Sequence, residues 1–187
     1  MTAETVTFSR GTLQAPFGLL TVVASHRGVR YITFEEDAHP KSYVDMDVRD
    51  DSEHPVVASA LTQLGEYLAG DRTSFDLPLD LQGTEFQVDA WNALAKIPFG
   101  STVSYAQQAA SIGRPKATRA IGSANGRNPV VIVLPCHRVV GADGSLTGFG
   151  GGLHVKSWLL DLEKQKSAQA YCVLCHRHHT LLPKVAP

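Results

Sequence analysis

A chain of 187 residues, 43% apolar and with a net charge of −1, is long enough to bury a sizeable core and too rich in apolar residues to be a disordered tail. No apolar run approaches a membrane-spanning length, and three cysteines, two of them in the last sixteen residues, do not make a disulfide framework. The start lacks a basic flank leading into an apolar run, so no secretory signal or membrane is expected and a reducing cytoplasm is the natural compartment. The near-neutral total conceals a separation of sign. Glu35 to Glu53 holds eight acidic residues against Lys41 and Arg49, whereas Ala90 to Ala142 holds no acid and six cations: Lys96, Arg114, Lys116, Arg119, Arg127 and Arg138. The first region repels phosphate and the second attracts it.

In chain order, Leu20 to Ala24 and Val29 to Phe34 read as a hairpin through Ser25, His26, Arg27 and Gly28. The acidic stretch Glu35 to Glu53 has little periodicity and reads as a surface loop. Pro55 opens a helix with Val57, Leu61, Leu64 and Leu68 on one face, and Gly70 ends it. Phe75, Leu77, Leu79 and Leu81 alternate as in a half-buried strand, which Pro78 confines to an edge. These elements predict a small α+β domain over residues 1–82.

Thr84 and Gln87 form a capping box for a helix carrying Phe86, Trp91 and Leu94, stopped by Ile97-Pro98-Phe99-Gly100. Ser104 and Gln107 form another, opening a short helix to Ser111, after which Gly113 suits a left-handed turn. Pro115 starts a further helix with Ala117, Ala120, Ile121 and Ala124 facing inward. Two short helices joined by a glycine turn are a helix-turn-helix candidate. Spacing alone favours an ordinary packed helix pair, and the basic run on the second helix tilts the balance towards DNA. Val130 to Leu134, bounded by Pro129 and Pro135, reads as a buried extended segment that delivers Cys136 out of the core. Gly141 to Gly152 is a glycine-rich loop, and Val155, Trp158, Leu159 and Leu162 restore a helical face. The second domain is expected over 83–166, with a flexible tail over 167–187.

A lone cysteine in apolar surroundings is most often an inert core residue. Cys136 differs in being followed by His137 and Arg138, because cations favour the thiolate, which is the nucleophile. The stretch Asn128-Pro129-Val130-Val131-Ile132-Val133-Leu134-Pro135-Cys136-His137-Arg138-Val139-Val140 closely resembles the active-site signature of the O6-alkylguanine-DNA alkyltransferase family. The resemblance extends to Gly83–Trp91, Ile97–Tyr105, Arg119-Ala120-Ile121-Gly122 and Leu159–Glu163, roughly half the chain. It implies a ribonuclease-H-like first domain and a winged-helix-like second one.

The resemblance further implies single-use transfer of a methyl or other alkyl group from O6-alkylguanine, with O4-alkylthymine as a further substrate, in double-stranded DNA to Cys136. No cofactor is implied. His137 would act through a water on Cys136, Glu163 would orient His137, Asn128 would support the network, and Tyr105 would assist the leaving guanine. Arg119 would fill the space of the flipped base, on a helix entering the minor groove, where Ala120, Gly122 and Ala124 allow close approach. Lys116, Arg114 and Arg127 are candidate phosphate contacts. Val139, Phe149 and Gly150 would line the lesion pocket; Phe149 stands where many relatives carry tyrosine, which keeps an apolar wall and removes a hydroxyl. A monomer is expected, with cooperative binding on DNA left open.

The tail offers Cys172, Cys175 and His176, which formally match a haem-attachment pattern and a zinc-ligand set; a tail binding nothing is the favoured reading. Two other functions compete with alkyl transfer. One is a non-enzymatic helix-turn-helix sensor or regulator of DNA, disfavoured by the central thiol; the other is a Cys-His enzyme for small molecules, disfavoured by the basic run.

Overall fold

The computed structural model describes residues 6–35 and 46–179, with side chains described as far as residue 169. The expected hairpin is formed by β2 (Gly18–Ser25) and β3 (Gly28–Phe34), with Leu20 opposite Phe34 and Ser25 opposite Gly28. Ahead of it runs β1 (Phe8–Ala15), antiparallel to β2. The acidic stretch is not all loop. Residues 36–45 lie outside the described residues, but β4 (Val48–Asp50) pairs parallel to β1, giving the sheet order β3-β2-β1-β4. Arg10 on β1 makes an ion pair with Asp50, so one of the acids that suggested a solvated loop has a partner across the sheet.

α1 (Pro55–Ala69) starts on proline and ends at Gly70, whose φ of 78° closes the last turn. Its buried face is Val57, Ala60, Leu64 and Tyr67, with Leu61 and Leu68 only partly buried at the rim. The expected apolar stripe is thus rotated so that it includes a tyrosine. Phe75 to Leu81 is extended at the sheet edge as expected, but it forms no strand. A single bridge joins Leu79 to Val29, because Pro78 can accept from Val29 N (2.8 Å) but has no N–H to continue the ladder.

The second half is mainly helical: α2 (Glu85–Leu94), α3 (Tyr105–Ser111), α4 (Thr118–Gly126) and α5 (Gly152–His179), with a parallel pair of two-residue strands, β5 (Val103–Ser104) and β6 (Val139–Val140). Both expected capping boxes are present, at Thr84 with Gln87 and at Ser104 with Gln107; each cap contributes about 1 kcal/mol. Gly113 takes a φ of 72° between α3 and α4. α4 begins at Thr118 and not at Pro115, because Pro115 and Lys116 are spent in a turn closed by Ala117 N donating to Arg114 O at 2.9 Å. α5 continues past Ser167, where the sequence suggested a tail, since neither glycine nor proline interrupts Leu153 to Leu182. The side chains of Cys172, Cys175 and His176 lie outside the described residues. No helix among the described residues is long and apolar enough to cross a membrane.

The main core is continuous across both halves, from Leu20, Val22 and Ile32 through Leu64 and Tyr67 to Leu94, Leu134 and Leu159. A smaller cluster of Ala90, Ala109, Ile121 and Ala124 holds α2, α3 and α4 together. The segment before Cys136 is buried as expected but not extended. Val131 bridges Leu134 across a turn in which Ile132 has φ 72°. A β-branched residue there costs about 1–3 kcal/mol. The surroundings impose it: Ile132 is fully buried, Ile32 N on β3 donates to Pro129 O at 2.9 Å, and Leu134 N donates to Val130 O at 3.0 Å.

Candidate active site

The turn over residues 130–134 ends at Pro135 and hands the chain to a single 3-10 turn, Cys136–Arg138. Cys136 is 7% exposed. Asn128, itself buried, receives Val130 N on Oδ1 at 3.0 Å and donates Nδ2 both to Leu134 O at 2.7 Å and to Cys136 Sγ at 3.3 Å. One side chain therefore fixes the turn and places an N–H against the sulfur, where it favours the negative form.

Glu163 on α5 is the hub of the buried polar network. Its Oε1 faces His137 Nε2 at 3.0 Å, and Arg138 donates Nη2 to Oε1 at 2.8 Å and Nε to both oxygens at 3.1 Å. Gly100 N donates to Oε2 at 2.9 Å, and Tyr67 Oη donates to Oε1 at 2.6 Å. Burial on its own would raise the pKa of this carboxyl, but the hydrogen bonds and charges of His137 and Arg138 outweigh it and hold Glu163 at about 2. His137 is fully buried, and burial pushes its pKa down despite the carboxylate, so the imidazole is neutral and able to accept a proton. With Nε2–H committed to Glu163, the other ring nitrogen, Nδ1, carries the lone pair and has no protein partner. The structure brings Asn128 against Cys136 and Glu163 against His137, the residue next to that cysteine.

Two residues of this network were not legible as functional. Tyr67 comes from the first half of the chain, and Lys156 comes from the first turns of α5. Lys156 has no exposed surface; its Nζ donates to Val139 O at 2.6 Å and Thr147 O at 2.8 Å. Burial lowers the pKa of Lys156, and attraction to Cys136 partly offsets this. A cation that gains from a thiolate at Cys136 favours that thiolate in turn. The only sequence signal is a lysine three residues from Leu159 and one from Val155 on an apolar helix face.

The glycine-rich loop closes over this array. Tyr105 donates its hydroxyl to Thr147 O at 3.0 Å, the same carbonyl that Lys156 holds. Phe149 packs between the Phe34 ring, 5.5 Å away, and His137, 6.4 Å away. Gly151 has no room for a side chain, since a Cβ would come within 2.7 Å of the Phe34 ring. Val139 is fully buried beside Val103, and Gly150 is half-buried in the loop. A separate cleft of about 380 Å³ opens beside Phe75, Leu79, Ile97, Phe99, Leu134 and Arg138, and neither Cys136 nor His137 lines it.

On the second helix of the pair, Arg119, Ala120 and Ser123 are exposed, as are Arg114, Lys116 and Arg127 at its two ends, while Gly122 is half-buried near Tyr105. Ala120 therefore faces outward and not into the core. Ala124 faces the other way: it is 2% exposed and its carbonyl accepts Trp91 Nε1 at 2.9 Å, so it cannot touch DNA as the sequence suggested. Arg138 also leaves the set of phosphate-attracting cations, because its charge is consumed by Glu163 inside the protein.

These features define a protein that holds a buried cysteine, beside a neutral imidazole and a buried lysine, next to a basic helix pair. Two family profiles cover most of the chain: "6-O-methylguanine DNA methyltransferase, ribonuclease-like domain" over residues 9–81 and "6-O-methylguanine DNA methyltransferase, DNA binding domain" over residues 85–165. The methylated-DNA--protein-cysteine methyltransferase of Mycolicibacterium paratuberculosis is 46% identical over 157 residues, covering 83% of this chain and 92% of that one. The protein of the same name from Methanosarcina acetivorans is 43% identical over 150 residues, covering 80% and 94%. The crystal structure of Mycobacterium tuberculosis OGT in complex with DNA matches with a TM-score of 0.78 at 42% identity, over 84% of this chain and 94% of that one. The chain belongs to the 6-O-methylguanine DNA methyltransferase family.

Proposed function

We propose that this protein repairs double-stranded DNA by moving a methyl or other alkyl group from guanine O6, or from thymine O4 as a further donor, to Cys136 Sγ, once per molecule. The observation that carries the reading is the buried Cys136–His137–Glu163 array, in which the neutral imidazole has an unpartnered Nδ1. A water between Nδ1 and the thiol takes the proton of Cys136 to His137, and Glu163 stabilises the imidazolium. The thiolate lone pair forms the S–C bond as the C–O6 bond breaks, its electrons passing into the guanine ring. Tyr105 releases Thr147 O and donates to a ring nitrogen of the departing base. The balance needs no oxidant, reductant or cofactor, and nothing in it returns the S-alkyl cysteine to a thiol.

Arg119 fills the stack vacated by the flipped base, with Ala120 and Gly122 permitting close approach to the minor groove and Arg114, Lys116 and Arg127 on phosphates. Phe149, Gly150 and Val139 bound the lesion pocket. A domain limit at 82/83 fits this division of labour, with a ribonuclease-H-like first domain and a winged-helix-like second, acting as a monomer in the cytoplasm. A non-enzymatic sensor would have no use for a buried cysteine followed by a neutral imidazole with an unpartnered nitrogen.

The test mixes the protein with an oligonucleotide carrying O6-methylguanine and maps the methyl by peptide mass spectrometry. One methyl per protein on Cys136, with guanine restored, is the expected result. Unmodified Cys136 in folded, DNA-binding protein would overturn the reading.

A further inference from the structure

Of the donors that hold Glu163, one comes from outside the DNA-binding half. Tyr67 lies on α1, within the segment matched by the ribonuclease-like profile, whereas His137, Arg138 and Glu163 lie within the segment matched by the DNA-binding one. Its hydroxyl is 2.6 Å from Glu163 Oε1 and 3.4 Å from His137 Nε2, so it sits at the junction of the carboxylate and the imidazole. The ring is fully buried and flanked by Phe75 at 5.3 Å and Phe99 at 6.0 Å, which leaves the hydroxyl no alternative position. Burial and the adjacent carboxylate raise the phenol far above its ordinary range, so Tyr67 acts only as a neutral donor.

We propose that Tyr67 is a positioning residue for alkyl transfer, its hydroxyl fixing the Glu163 carboxylate and thereby setting the orientation and proton affinity of His137. The inference rests on the reading of Cys136 as the alkyl acceptor. A hydrogen bond to a carboxylate oxygen drains charge from it. Without the hydroxyl, Oε1 presents more negative charge to Nε2, and the imidazolium is favoured. His137 is also faced by Lys156 on α5 and by Arg138 on its own turn, whose positive charges oppose its protonation and are still present in the Tyr67 variants. His137 in the variant therefore takes its proton at higher pH and is less available as a base. On this account the first domain completes the active site, and the DNA-binding half alone lacks a donor.

The experiment measures single-turnover methyl transfer by the full chain from an O6-methylguanine duplex over about pH 5 to 9, with DNA affinity and melting temperature alongside. For Tyr67→Phe, the acid limb is expected to move up by roughly half to one pH unit, so that the rate falls roughly three- to tenfold on the limb and much less on the neutral plateau, with DNA affinity unchanged. Phe75→Leu removes ring packing but keeps the hydroxyl, and is expected to lower the melting temperature without moving the limb. Tyr67→3,5-difluorotyrosine keeps the shape and strengthens the donor, so it should move the limb the opposite way; it serves also if Tyr67→Phe fails to fold. Limbs that coincide with the wild type in the folded Tyr67 variants would overturn the proposal, even if their rates fell uniformly. Absence of methyl on Cys136 in the wild type at every pH would instead overturn the transfer reading.

Discussion

A lysine with no exposed surface is costly to bury, and Lys156 is buried with its ammonium on Val139 O and Thr147 O. It ties the loop that carries Phe149 to the strand that follows the active-site turn, and it places a positive charge near Cys136. Lys156→Met separates these roles. Removing the ammonium from Val139 O, and from Thr147 O where only Tyr105 then donates, is expected to cost about 1–3 kcal/mol in denaturant unfolding. If the charge also supports the thiolate, the transfer rate at neutral pH falls about tenfold or more and recovers as pH rises and the thiol ionises unaided. A stability loss with an unchanged rate would leave Lys156 a structural tie alone. Cys136→Ser keeps shape and polarity but replaces the nucleophile; it is expected to abolish transfer while preserving duplex affinity in a gel-shift assay. Cys136, His137, Glu163 and Asn128 were legible because they sit in a continuous signature or at fixed places in a matched one. Tyr67 and Lys156 were not. On a helix, one reads as a core aromatic and the other as a solvated cation, and only the fold turns both onto the same polar cluster.

At the scale of elements, legibility followed local chemistry. The capping boxes of α2 and α3 and the left-handed Gly113 depend on residues within four positions of each other, and the structure has them where the sequence put them. What failed depends on distant partners. β4 exists because β1 offers it a ladder and an arginine, Leu79 stays a lone bridge because Pro78 cannot donate, and Ile132 bends into a positive φ because β3 and the core leave its segment no straight path. The helix pair carries the prediction at this scale. Arg119 is exposed on α4, away from the cluster of Ile121 and Ala124 that fixes the helix. Arg119→Ala should therefore leave the unfolding free energy within about 0.5 kcal/mol of wild type in denaturant unfolding. It should slow repair of O6-methylguanine in duplex DNA far more than dealkylation of the free base, where nothing has to be held out of a stack. Equal losses on both substrates would remove Arg119 from base flipping.

The molecule as a whole is joined through its active site. The main core runs from the sheet to α5 without a break, and the buried polar network does the same, from Tyr67 on α1 through Glu163 to His137 and Arg138. Folding thus depends on keeping His137 neutral and Glu163 ionised, and the sign of the pH dependence follows. Burial lowers the folded pKa of His137 below 6.5, so as pH falls through that value the unfolded chain takes up a proton that the folded one refuses. Stability is at its full value above pH 6.5 and declines below it, towards the folded pKa. Glu163, lowered from 4.5 to about 2, adds a further loss between those values, where the unfolded chain protonates first. The melting temperature of the wild type is expected to be flat near neutral pH, to fall as pH drops below about 6.5, and to fall more steeply below about 4.5. His137→Gln can still donate to Glu163 but binds no proton, so it should erase the first decline and keep the second. A first decline of equal slope in His137→Gln would show that acid enters the structure elsewhere, and that the buried imidazole is not the group linking repair chemistry to the stability of the joined domains.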